Sequence, residues 1–430
     1  MQNVLSKRCW RNDEGMDMIS KLPQARVFQI LSLLPQRDVV ATSVLSKQWN
    51  AIWKMVSKLE FDYQHYGDGE TFSDNVCSVL ISSKAPVLES LRLRFSIDSS
   101  APVDIELWIS IAYLHRVCEL ELDVVGPSSF KLPVNYLFYR DLDTLKLKNF
   151  VLVDCPDQDR HRKYYMRTLH LCYVNCKNDD SVANFLSGCH VLENLVVSRC
   201  RWDHVKTFTI AVPTLQRLEI CDWNWNGQER EQEFGDYEIN APCLKYLKIK
   251  GTRDIRFRLV DQMIANSCTS DNQDLWRIRN FSLSYRSSLI SEIAFPKYTI
   301  FHQLVYLELC TSQAMWCNLL TLILIINTCP RLQVLKLIGC GWDNRKVFAG
   351  RWNTPKNVPE CLETFVWNCC KEQQEKEKGV VKYILRNANR LKKARIIMKE
   401  FSSQERLKMI EEFKSVVKAS NSSCNILVVE

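Results

Sequence analysis

Sulfur and imidazole are the side chains of this sequence with the most chemistry to offer: 19 cysteines and seven histidines in 430 residues. Two CxxC halves would hold a zinc ion, because two thiolates on each tight turn complete one tetrahedron. No CxxC occurs, and the pairs Cys172/Cys176 and Cys369/Cys370 lack a second half. The histidines are scattered, and none has a partner at metal-ligand spacing. Glycine-rich phosphate loops, HExxH and GxSxG are absent from the sequence too. Nothing singles out one cysteine as a nucleophile. The residues therefore point to no metal, no cofactor and no catalytic group. They read as a binding protein rather than an enzyme.

Composition sets the frame in which those thiols sit. The chain is 46% hydrophobic and 25% charged, which is globular, and 12 glycines with 13 prolines exclude collagen-like and low-complexity classes. The longest apolar run, Leu319 to Ile326, falls short of the roughly 20 residues that cross a bilayer. The first fifteen residues hold Lys7, Arg8, Arg11, Asp13 and Glu14 without an apolar stretch, so no secretory signal is visible. The expected location is cytoplasmic and/or nuclear, where thiols stay reduced and most cysteines serve as small buried hydrophobes. The net charge is +8, and residues 371–430, with 14 basic and 8 acidic side chains, contribute +6 of it. There Glu372, Glu375 and Glu377 alternate with Lys371, Lys376 and Lys378. That is the pattern of a solvated mixed-charge surface, and it disfavours nucleic acid as a partner.

The elements that position all these residues come from a repeat. The frame LxxLxL, with apolar substitutes, runs through Leu88-Leu91-Leu93, Val117-Leu120-Leu122, Leu142-Leu145-Leu147, Met166-Leu169-Leu171, Leu192-Leu195-Val197 and Leu215-Leu218-Ile220. It continues through Leu244-Leu247-Ile249, Ile278-Phe281-Leu283, Leu304-Leu307-Leu309, Leu332-Leu335-Leu337 and Leu362-Phe365-Trp367, and ends degenerate at Leu391-Ala394-Ile396. From Leu91 to Ala394 the mean step is 27 to 28 residues, within the leucine-rich-repeat period of about 20–29. One pair aligns at a constant offset of 140: Cys189 to Asp203 and Cys329 to Asp343 share CxxLxxLxLxxCxWD. It places Trp202 and Trp342 at equivalent positions, with Cys200 and Cys340 at the Asn/Cys position, where a small side chain points inward at the turning backbone.

In xLxLx the leucines alternate inward with period 2, and the residues between them face out. One strand and one return cannot bury the leucines alone, so units stack into a parallel-sheet solenoid. Helical patterns at Val182 to Leu186 and Leu319 to Ile326 predict an outer layer of helices. Uneven spacing, with polar excursions at Asp154 to Lys163 and Ser267 to Asp274, predicts an irregular arc. The outward strand positions Arg92, Arg94, Glu121, Asp123, Lys146, Lys148, Lys248, Lys250, Glu308 and Lys336 form the candidate surface for a target. Exposed strand faces are polar in any case, so that surface and plain solvation weigh equally here.

Residues 17 to 61 do not follow the repeat. After Asp17 to Pro23 comes a helical run with Val27, Ile30, Leu31 and Leu34, closed by Pro35. Asp38 is placed to cap a second helix carrying Val40, Val44 and Leu45, and Trp49, Ile52 and Trp53 follow. Some forty-five residues cannot bury so many apolar groups, so part of this surface should meet a partner or the first solenoid turn.

The block ILSLLPQRDVVATSVLSKQW inside this head resembles the F-box of the plant F-box/leucine-rich-repeat proteins. It departs from that family's pattern at Gln24-Ala25-Arg26, usually an acidic pair and leucine, and at Gln48, usually arginine. The tail, from Val358 through Cys361 and Trp367 to Lys393, resembles the FBD domain that ends many of them, with a few residues missing after Cys361. Its own pattern gives a helix face at Val381, Ile384, Leu385 and Ala388 and a strand at Ala394, Ile396 and Met398. Ser402 with Glu405 forms a capping box before Leu407, Ile410, Phe413 and Val417, and Asn425 to Val429 supplies a last strand.

The fold class expected is α/β: a small helical F-box, an irregular leucine-rich-repeat solenoid and an α/β cap. The expected limits are 1–16 for a flexible segment, 17–63 for the F-box, 64–357 for the solenoid and 358–430 for the FBD cap. The resemblance implies a substrate-recognition subunit that meets a Skp-family adaptor, and through it a cullin, while the repeats hold a target protein for ubiquitin transfer. It implies adaptor contact at Leu22, Pro23, Ile30, Leu31, Leu34, Pro35, Val44, Leu45, Trp49 and Trp53. Two other readings stay open: a scaffold whose altered F-box no longer assembles, and a solenoid receptor for a small molecule.

Overall fold

The computed structural model describes residues 22–31, 33–34, 36–44, 47–66, 69–97, 105–126, 129–137, 139–153, 163–198, 207–222, 236–251, 257–259, 278–285, 303–311, 329–339, 358–369, 374–398, 401–419 and 424–429. Pro35, Leu45, Cys200, Trp202, Cys340, Trp342, the run Leu319 to Ile326 and the excursion Ser267 to Asp274 lie outside the described residues. So does the excursion from Asp154, all but its last residue, Lys163.

Short helices at Gln24–Leu31, Gln36–Ala41 and Lys47–Ile52 form the head. The strands that follow are β1 (Lys58–Asp62), β2 (Ser90–Ser96), β3 (Glu119–Val125), β4 (Phe130–Pro133), β5 (Thr144–Lys148), β6 (Phe150–Val153), β7 (Thr168–Cys172), β8 (Asn194–Ser198), β9 (Thr207–Ala211) and β10 (Arg217–Asp222). They continue as β11 (Asp236–Asn240), β12 (Tyr246–Gly251), β13 (Phe257–Leu259), β14 (Asn280–Tyr285), β15 (Tyr306–Thr311), β16 (Val334–Gly339), β17 (Thr364–Asn368), β18 (Lys393–Ile397) and β19 (Asn425–Val429).

Among the described residues, fourteen strands make one sheet in the order β1-β2-β3-β5-β7-β8-β10-β12-β14-β15-β16-β17-β18-β19. Every neighbouring pair is parallel. The leucine frame sets the register. Leu91, Leu120, Leu145, Leu169, Leu195, Leu218 and Leu247 lie side by side in one row and are fully buried. The first leucine of each frame sits in the turn ahead of its strand. The carbonyl of the residue immediately before a strand accepts two N–H groups from the next unit. That of Cys118 takes Asp143 (2.8 Å) and Thr144 (3.0 Å), and that of Glu363 takes Lys392 (2.9 Å) and Lys393 (3.1 Å). The same pairing recurs at Asp143, Arg167, Glu193, Gln216, Lys245, Arg279, Val305 and Gln333, so the turns are hydrogen-bonded from β3 to β18.

Helices Gly69–Ser82, Ile105–Leu114, Asp179–Gly188, Gln374–Asn387 and Ser403–Ala419 return the chain between strands. The expected layer of helices holds in part among the described residues. Other described returns are strands: β4 pairs with β6, and β9 and β13 flank β11, all in parallel. Thr207 to Ala211 and Asp236 to Asn240 are too short for two helical turns, and their buried Phe208, Ile210, Tyr237 and Ile239 alternate with period 2. The sheet also begins within the head's expected span. β1 lies within residues 17–63 and pairs with β2 from Lys58↔Ser90 to Asp62↔Arg94.

The two ends are closed differently. At the first, Phe72, Phe95, Trp108 and Phe150 meet edge to face at 5.7–6.5 Å between ring centres. At the last, Trp367 of β17 meets Phe413 of helix Ser403–Ala419 at 5.9 Å. The capping box ahead of that helix forms: Ser402 N–H donates to Glu405 Oε2 (2.8 Å) and Glu405 N–H donates to Ser402 Oγ (3.3 Å). Its apolar face is rotated from the sequence pattern. Met409, Phe413, Val416 and Val417 are buried, and Leu407 is 60% exposed.

Candidate interaction surfaces

Pro23 opens the first helix, its carbonyl accepting from Arg26 N–H (2.8 Å) and Val27 N–H (3.2 Å). One turn apart on that helix, Val27 and Leu31 are buried, joined by Val39, Trp49, Ile52 and Trp53. Trp53 Nε1–H donates to Asn50 Oδ1 at 3.1 Å. The helix Gln36–Ala41 takes in Asp38 as a first-turn residue instead of starting after it as a cap. A 3-10 turn, Thr42–Val44, follows it, with Thr42 Oγ1–H donating to the Val39 carbonyl (2.6 Å).

Of the ten residues that the F-box pattern singles out, the eight described ones therefore divide. Leu31, Trp49 and Trp53 hold the helices together from inside. Leu22, Pro23, Ile30, Leu34 and Val44 face out, Val44 with 85% of its surface exposed. Leu33, 83% exposed, belongs with them and was not singled out. Its signal is only that it falls between the helical positions 27 and 31 and the closing proline. Arg26, in the divergent segment, donates to Gln29 on its own helix (3.1 Å).

The second surface is the outward side of the sheet, and the parallel register decides its electrostatics. Over β1, β2, β3 and β5 it carries five cations (Lys58, Arg92, Arg94, Lys146, Lys148) and five carboxylates (Glu60, Asp62, Glu119, Glu121, Asp123). Arg92 bridges Glu60 (3.3 Å) and Glu121 (3.1 Å), and Lys146 bridges Glu119 (2.6 Å) and Glu121 (3.7 Å). Arg94 lies between Asp62 (3.1 Å) and Asp123 (3.7 Å), and Lys148 reaches Asp123 at 2.8 Å. Asp123 is buried between its two cations. Its hydrogen bond to Glu119, ahead of burial acting the other way, holds the Lys146 ammonium above the usual lysine range. Burial, then Lys146, holds the His170 imidazole below its usual range.

A second charged group centres on Glu219 and Glu308. Glu219 accepts from Arg217 and from Lys248 (3.0 Å), and the Arg217 guanidinium lies 3.9 Å from the Tyr246 ring centre. Glu308 accepts from Lys336 (2.8 Å), Tyr306 (2.5 Å) and Ser282 (3.3 Å). Burial would raise both carboxyls, but these bonds outweigh it and hold them below the usual carboxylate range. Lys250 has no ion-pair partner among the described residues. The ten candidate target residues thus share one face, and nine of them are bound to their neighbours across strands. No cluster of three or more metal-ligating side chains occurs among the described residues. Burial pushes the thiols of Cys189 and, less completely, Cys118 upward, away from reactive thiolates.

A helical head on a parallel leucine-rich solenoid with an α/β cap defines an F-box leucine-rich-repeat protein. The F-box domain family matches residues 19–61, the leucine-rich repeats of FBD-associated F-box protein At5g56370 match 105–265, and the FBD family matches 353–396. The F-box/FBD/LRR-repeat proteins At4g00160 and At3g52680 of Arabidopsis thaliana are each 42% identical to this chain. They cover 95% and 96% of it and 93% of their own lengths. The F-box/FBD/LRR-repeat protein At3g26920 of the same plant is 39% identical over 98% of this chain and 99% of its own. The chain belongs to the F-box/FBD/LRR-repeat family.

Proposed function

We propose that this chain is the substrate-recognition subunit of a Skp-adaptor/cullin/F-box ubiquitin ligase. Its F-box carries the adaptor, its solenoid carries a target protein, and chemistry belongs to other subunits. The observation that supports this most is the exposure of five apolar side chains, Leu22, Ile30, Leu33, Leu34 and Val44, beside a buried Leu31, Trp49 and Trp53. Apolar side chains of that number on so short a segment mark a protein interface. The proposed units are residues 17–63 for the F-box, 64–357 for the solenoid and 358–430 for the cap. The proposed location is the cytoplasm and/or nucleus. No helix among the described residues is long and apolar enough to cross a membrane.

The test is co-precipitation with adaptor and cullin. Leu22 and Pro23 are exposed, so Leu22→Ala with Pro23→Ala spares the core. Hot-spot truncations weaken binding by about 2 kcal/mol or more each, and about 1.4 kcal/mol is tenfold. Adaptor capture should fall more than tenfold, while circular dichroism and melting temperature stay near the parent's. If the parent chain never captures the adaptor, the segment Gln24 to Arg26 has disabled the F-box, and the scaffold reading replaces this one.

A further inference from the structure

The outward face of the sheet changes character along its length. Over β16–β19 its twelve positions are Val334, Lys336, Ile338, Thr364, Val366, Asn368, Lys393, Arg395, Ile397, Asn425, Leu427 and Val429. Six are aliphatic, three are cationic and none is acidic, against five cations and five carboxylates over β1–β5. Lys336 is held by Glu308. Lys393 and Arg395 are exposed and have no ion-pair partner among the described residues. Leu427 is 40% exposed on the terminal strand. A partner's carboxylate arriving at Arg92 would have to displace one already bound, and desolvating that pair offsets the gain. One arriving at Lys393 or Arg395 displaces only water.

We propose that this aliphatic and cationic end, and not the ion-paired start, holds the target, and that it takes an extended protein segment alternating apolar and acidic residues. The proposal rests on the substrate-receptor reading and moves the target from the solenoid at large to its last strand, β16, and the cap strands β17–β19 that continue the sheet. Charge complementarity with two unpaired cations selects carboxylates, and Val366, Ile397 and Leu427 around Arg395 select aliphatic neighbours for them. Strands lie about 4.8 Å apart and extended chain advances about 3.3 Å per residue, so about five residues reach from the first of the four strands to the last. Nucleic acid fits less well: two free cations are few for phosphate binding, and the twelve positions include no aromatic ring on which a base could stack.

The probe is a fluorescent peptide alternating leucine and glutamate, titrated against the whole protein by anisotropy beside a leucine–lysine and a serine–glutamate peptide. The leucine–glutamate peptide should bind tightest and weaken with salt. It should lose at least tenfold in affinity in Lys393→Glu/Arg395→Glu and severalfold in Leu427→Ser, and keep its affinity in Lys131→Glu on the side sheet. Unchanged binding in the double variant, equal binding of the lysine peptide, no binding at all, or displacement by a thymidine oligonucleotide would each overturn the proposal. Melting temperatures of the variants separate a lost surface from a lost fold. Adaptor capture is measured on the same preparations, so failure of the F-box reading and failure of this one show separately.

Discussion

Single side chains on the outward face differ sharply in what their loss should do. Asp123 is enclosed by Arg94 and Lys148, whereas Glu89 meets Lys58 with both side chains more than half exposed. Replacing Asp123 with alanine leaves Lys148 without its carboxylate and Arg94 with Asp62 alone, and, since both cations keep some water, should lower stability by about 1–2 kcal/mol. Glu89→Ala should change it by less than about 1 kcal/mol, the ordinary worth of an exposed pair. Chemical denaturation of the two variants checks the contrast. Glu308 adds a pH dependence. Its folded pKa lies below the unfolded value, so its contribution is complete above the unfolded carboxylate pKa of about 4.3 and is lost as pH falls through the lowered folded value. The gap in melting temperature between the parent and Glu308→Gln should therefore be widest near neutrality and close only as pH falls below the unfolded carboxylate value. A gap that stayed constant into acid would assign the effect to packing. None of these pairings is legible in the sequence. The partners stand about one repeat apart, 25 residues for Lys148 and Asp123 and 28 for Lys336 and Glu308, and only the register shows which residues meet.

At the scale of elements, the cap gives the clearest expectation. Helix Ser403–Ala419 buries Phe413 against Trp367, and β19 covers the edge of β18. A chain ending before Ser402 would expose that edge together with the apolar side of Ile396 and Met398, and should aggregate. Light scattering and the cooperativity of thermal unfolding measure this, and a monomeric truncation melting like the parent would refute it. The cap was legible because the capping box and the apolar spacing of Val381, Ile384, Leu385 and Ala388 are local signals, and all four of those residues are buried. The main-sheet strands were legible for a similar reason, since leucine alternation fixes both the element and the side it buries. Two things were not. β1 hides within the F-box pattern, where Leu59 and Phe61 already alternate inward beside Leu91 and Leu93. The switch of the second layer from helix to strand follows the local apolar period, 2 at Phe208 and Ile210 and at Tyr237 and Ile239, which the leucine frame does not specify. In the head, spacing identified the apolar residues but not which face the core and which face out. That choice separates Leu31 from Ile30, and it follows only from how three short helices pack.

For the whole molecule, the proposed function, with an adaptor at one end and a target at the other, makes a simple cellular prediction. With Leu22→Ala and Pro23→Ala, the solenoid is untouched, so the protein should still hold its target while failing to deliver it to ubiquitin transfer. Target half-life should lengthen, and the stabilised target should co-purify with the variant. The parallel stacking of fourteen strands also fixes a distance. Thirteen gaps of about 4.8 Å put β19 about 62 Å from β1 along the sheet, and closer in a straight line wherever the sheet bends. A target seated on the last four strands would stand tens of ångströms from the helices that carry the adaptor. Reach would then choose among its lysines: those on the side turned toward the F-box would be modified, and equally exposed ones beyond the cap would be spared.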